Sequence, residues 1–91
     1  MAVYLLTYDL NNETSRPPIV KRIDKSFKAW AKLSESSYAV STDLDANQIY
    51  SKFSDLLDND DQLYVIALYR PHCGQGPQEV NDWLESSLEW P

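Results

Sequence analysis

One cysteine, Cys73, and one histidine, His72, are all the thiol and imidazole this chain of 91 residues contains. A lone cysteine makes no internal disulfide, which fits a reducing compartment. Zinc takes about four ligands, and no second histidine or cysteine is present to complete a site begun by the His72-Cys73 pair. Adjacent side chains also rarely adopt the in-line hydrogen bond that thiolate catalysis needs, and a single loop histidine supports no serine, histidine and aspartate set. No apolar run approaches the length of about 20 residues that spans a bilayer, and the N-terminus lacks the basic, apolar, small-residue order of a signal peptide. A cytoplasmic protein with no membrane segment is expected. Positive charge is scarce too: eight basic residues face fourteen acidic ones, and the net charge of −6 argues against nonspecific nucleic-acid binding, most of whose affinity comes from phosphate neutralisation. The acidic run Asp58 to Asp61 has neither the central glycine nor the terminal glutamate of a calcium loop and reads as a turn that ends a helix.

What is present points to a folded domain. The apolar share is 43%, with three tryptophans, six tyrosines and two phenylalanines, a composition opposed to disorder. No repeat, linker or low-complexity tract divides the chain, so residues 1–91 form one domain, with a core over 2–70 and a C-terminal helical extension over 71–91. At this size a single core only marginally offsets chain entropy, and help from a partner subunit is expected. Charge is unevenly spread. Six of the eight basic residues fall between Arg16 and Lys32, opposed there by Asp24 alone, which leaves a basic element on an acidic body.

Residues 3–10, VYLLTYDL, read as a strand stopped by the turn signal Asn11-Asn12. Ser15 as N-cap and Pro17-Pro18 in the first turn open a helix whose apolar stripe is Ile19, Ile23, Phe27 and Trp30. A second stripe, Lys21, Lys25, Lys28 and Lys32, lies around the helix from the first. Ala31–Glu35 and Ser36–Thr42 read as a hairpin, with Tyr38, Val40 and Thr42 on one face. Asp45 and Gln48 form a capping box for a helix marked by Ile49, Phe53, Leu56 and Leu57. Residues 62–70, QLYVIALYR, make the last strand, closed by Pro71 and a loop with both glycines, Gly74 and Gly76. A final helix runs from about Pro77 to Leu88, with Val80, Trp83, Leu84 and Leu88 on one side.

This order, βαββαβ with an added C-terminal helix, predicts an α+β fold: a ferredoxin-like sandwich with a four-stranded antiparallel sheet and both main helices on one face. Both faces of the first and last strands are apolar, although two helices cover one face only and a solvated face alternates with polar residues. A second copy of the chain is the simplest cover, through Val3, Leu5 and Thr7 of the first strand and Leu63, Val65 and Ala67 of the last. The C-terminal helix folding back over the sheet is the competing cover.

The aromatic-rich first strand ending in YDL, a tryptophan closing the first helix, the strand SSYAVST and the segment LLDNDDQLYVIAL together resemble the SinR-like proteins, over about residues 2–70. These are relatives of the small CRISPR-associated adaptation protein that pairs with the spacer integrase and, more distantly, of VapD-type ribonuclease toxins. The resemblance implies a ferredoxin-like homodimer packed sheet to sheet, with the aspartate that ends the first strand, here Asp9, at a metal site in the dimer cleft. The chain departs from the CRISPR members in offering only Lys32 where they present an arginine-rich second strand, and in being acidic overall.

Asp9 is thus the candidate catalytic and metal-binding residue. Across a two-fold axis it meets its own symmetry mate, and two close carboxylates share a proton or hold a cation; Mg2+ there would activate water for phosphodiester hydrolysis. The alternative is that Asp9 starts the following turn by accepting backbone hydrogen bonds. Lys21, Arg22, Lys25, Lys28 and Lys32 are the candidate nucleic-acid contacts, against the plainer reading of a solvated helix face or a surface that steers an acidic protein partner. Trp83 and Trp90 are weighed as a stacking platform, with packing of the last helix as the default for Trp83. The expected function is a cytoplasmic homodimeric scaffold or binding protein without catalysis; the alternative is a metal-dependent endonuclease of the CRISPR-associated or toxin type.

Overall fold

The structure, a computed structural model, describes residues 1–11 and 16–91, the Arg16 side chain excepted. The Ser15 cap therefore lies outside the described residues. In chain order the elements are β1 (Ala2–Asp9), α1 (Arg16–Ser26), β2 (Ala29–Ser34), β3 (Ser37–Thr42), α2 (Ala46–Ser51), a 3₁₀ turn (Ser54–Leu56), β4 (Gln62–Leu68) and α3 (Gln78–Ser87). The four strands form one antiparallel sheet in the order β2-β3-β1-β4, so the fold is the α+β, ferredoxin-like arrangement with a C-terminal helix.

The helix-covered face carries the main core. Leu6, Tyr8 and Leu10 of the β1 segment, Tyr38 and Val40 of β3 and Leu63 of β4 pack against Ile19 and Ile23 of α1 and Ile49 of α2. Phe27 and Phe53, each just past the end of its helix, stack with ring centres 6.4 Å apart and tie the two helices together. The buried Tyr8 ring keeps its hydroxyl satisfied by donating to the Glu35 carbonyl at 3.1 Å, as a core phenol requires.

Two boundaries differ from the sequence reading. The four-four-three spacing that extended α1 to Trp30 is broken at Ser26, and Trp30 belongs to β2, where it pairs with Val40 and sets its ring 5.7 Å from that of Tyr38. Strand pairing with a buried aromatic contact outweighs a helical spacing that the next residues do not sustain. The α2 capping box is present in full: the Gln48 backbone N–H donates to Asp45 Oδ1 at 2.8 Å and the Asp45 N–H donates to Gln48 Oε1 at 2.9 Å. Yet α2 lasts six residues. Ser51 Oγ donates back to the Asn47 carbonyl at 2.9 Å, and Arg22 Nη1 captures the Lys52 carbonyl at 2.8 Å, so the final turn is closed from outside the helix.

The second face of the sheet is partly roofed by α3, which buries Leu88 on Val3 and Ala39, with Leu68, Trp83 and Leu84 around them. The competing cover weighed from the sequence is thus realised over one half of that face. Arg70 holds α3 down: its backbone N–H donates to the Glu89 carbonyl at 2.7 Å, Nε to the Leu88 carbonyl at 2.7 Å and Nη2 to the Glu85 carbonyl. A guanidinium on the last carbonyls also complements the negative end of the helix dipole.

Candidate functional site

Antiparallel pairing sets odd-numbered residues of β1 opposite even-numbered residues of β4: Leu5 faces Ile66, Thr7 faces Tyr64 and Asp9 faces Gln62. With Val3 roofed by α3, the uncovered part of this second face consists of Leu5, Thr7 and Asp9 beside Ile66, Tyr64 and Gln62, continued across β3 by Ser37. Tyr64 is 60% exposed and Ile66 50% exposed, large apolar side chains with no helix above them. Thr7 and Ser37 join hydroxyls at 3.0 Å across the strands.

This register corrects the expected sheet-to-sheet interface. Leu63 is buried in the helix-side core, Val65 packs against that core, and Ala67, opposite Tyr4, points to the same side. Val3 lies under α3. Only Leu5 and Thr7 of the six remain on the open area. The sequence showed both alternating sets of β4, but which set shares a face with Val3 is decided by the parity of the pairing, which no local pattern reveals.

Asp9 stands on the open face, exposed, and among the described residues no hydrogen bond or ion pair engages its carboxylate. The role of tying the end of β1 belongs to Asp61. Its Oδ1 accepts the Asn11 N–H at 2.8 Å and its Oδ2 the Asp58 N–H at 2.8 Å, so the acid that precedes Gln62, the residue opposite Asp9, has both oxygens occupied by backbone amides. Among the described residues no group of three or more acidic, histidine or cysteine side chains converges as a metal site.

The basic candidates do not form one stripe. Lys21 and Lys25 project from α1, Lys28 sits in the bend that follows, and Lys32 lies in β2 with Nζ 3.0 Å from Glu35 Oε1. Arg22 is committed to Asp55 at 2.7 Å and to the α2 terminus. An exposed face of Lys21, Lys25 and Lys28 remains.

The loop after β4 and α3 enclose a groove of about 700 Å³ floored by Leu33, Leu68 and Leu84 and edged by His72, Cys73 and Gln75. Cys73 is an exposed free thiol. His72 Nε2 lies 3.8 Å from Glu85 Oε2, and the other oxygen of that carboxylate pairs with Arg70, so the imidazole sits beside the contacts that anchor α3. Trp83 packs from α3 onto the Val3, Ala39 and Leu88 cluster and Trp90 projects into solvent, so the two build no shared platform. No helix among the described residues is long and apolar enough to cross a membrane. Comparison with protein-family models and with curated proteins found no match.

Proposed function

We propose that the chain is a cytoplasmic binding or scaffold protein without catalytic activity that works as a homodimer, its copies meeting along the bare β4 margin that carries Tyr64 and Ile66. One observation carries this reading: two large apolar side chains at least half exposed lie next to each other on a regular sheet, in a domain small enough to gain from a partner. The exposed thiol of Cys73 fits a reducing compartment. A hard divalent cation takes six or more oxygen ligands, and Asp9 supplies a single carboxylate beside an Asp61 already bonded to backbone, a poor donor set for hydrolysis.

Sedimentation velocity at micromolar concentration tests the reading. The expected species has twice the chain mass of 10.5 kDa, and Ile66→Lys, a change at a solvent-facing position, weakens it by about tenfold or more while leaving the far-ultraviolet spectrum intact. In parallel, labelled RNA and DNA incubated with Mg2+ are expected to stay whole. Cleavage that needs the metal and disappears in Asp9→Ala would overturn the non-catalytic part of the proposal.

A further inference from the structure

The two edges of the sheet are unlike. On one side β2 carries Lys32 in its middle, its register slips between Lys32 and Ser34, and Pro77 with the start of α3 lies beside Trp30, Ala31 and Lys32. Charge, irregularity and an overlying segment are the devices by which proteins keep an edge from pairing. On the other side β4 has none of them. Its seven residues, QLYVIAL, include no charge and no proline, and its register to β1 runs unbroken from Leu68 opposite Val3 to Gln62 opposite Asp9. Among the described residues β4 is paired with β1 alone and no other backbone hydrogen bond reaches it, so its outer row of N–H and C=O groups is open.

We infer that this edge joins β4 of a second copy, antiparallel and centred on Val65, merging two four-stranded sheets into one of eight strands. The inference rests on the homodimer reading above and specifies its geometry. The strand is self-complementary in that register: Tyr64 meets Ile66 of the second copy, and Ile66 meets its Tyr64, aromatic against β-branched on the open face, while Val65 meets Val65 on the axis. Charge selects the direction. Asp58, Asp60 and Asp61 precede β4, so antiparallel pairing puts the acidic runs of the two copies at opposite ends. Parallel pairing would align the acidic runs side by side. A further consequence follows for Asp9. Gln62, its neighbour across the strands, faces Leu68 of the second copy, which keeps the two Asp9 carboxylates roughly 20 Å apart along the strands, too far to share a cation.

Disulfide trapping in the full chain, with Cys73→Ser to remove the native thiol, separates this geometry from others. Val65→Cys is expected to link to itself under mild oxidation, since facing strand residues have Cα separations within disulfide range. Because Val65 is partly packed, a second pair at exposed positions is included: Tyr64→Cys and Ile66→Cys, each unlinked alone, are expected to link when mixed. A dimer that lacks both links, or that links only through Leu5→Cys, overturns edge pairing and leaves the homodimer standing. Single chains at every concentration overturn both.

Discussion

Three arginines are all the chain has, and the two whose side chains are described close the C-termini of helices. Arg22 takes the Lys52 carbonyl after α2, and Arg70 takes the Leu88 and Glu85 carbonyls at the end of α3. The planar guanidinium suits this work, because it reaches more than one acceptor in fixed geometry where an ammonium would act as a point charge. For Arg70 the carbonyl contacts matter more than the ion pair, since the Glu85 carboxylate is largely exposed and such pairs add little. Replacing Arg70 by alanine is expected to cost about 1–3 kcal/mol, because it strands helix carbonyls at a half-buried position. Hydrogen exchange should then rise first at the amides of α3, with β1 and β3 still protected; equal loss across the molecule would contradict the assigned role.

At the scale of elements, the capping box is a local motif written in two residues, Asp45 and Gln48, and it formed as the spacing predicts. Asp45→Ala is expected to lower stability by about 1 kcal/mol in denaturant unfolding, the usual worth of an N-cap. The four strands and their order of appearance were legible for the same reason: runs such as YLLTYDL and QLYVIAL carry their strand character locally. The misread features are those that depend on a distant partner. Trp30 left the helix because β3 offers it Val40 and Tyr38, and α2 stopped early because Arg22 reaches across from α1. Of the candidate site, Asp9 lies on the open face beside Leu5 and Thr7, whereas Tyr64 and Ile66 were hidden by the parity of the β1–β4 register. The lysine spacing runs on past the end of α1 at Ser26, so Lys32 lies in β2, where it pairs with Glu35.

For the molecule as a whole, the net charge of −6 means that two copies repel at long range. An association through apolar side chains and backbone groups must overcome that repulsion, and salt screens it. Raising the salt from about 0.05 to about 0.5 M should therefore tighten the dimer several-fold, measured by the dissociation constant from sedimentation; weakening would identify a contact driven by opposite charges instead, such as the Lys21, Lys25 and Lys28 face against an acidic surface. The contrast between the two margins of the sheet also sets how far assembly proceeds. A subunit with two adhesive rims would add neighbours without limit and grow into a ribbon, whereas here the kinked, charged β2 rim is unreceptive. On the proposed edge pairing, joining of the β4 rims leaves no second receptive strand edge, and growth by edge addition terminates at a pair.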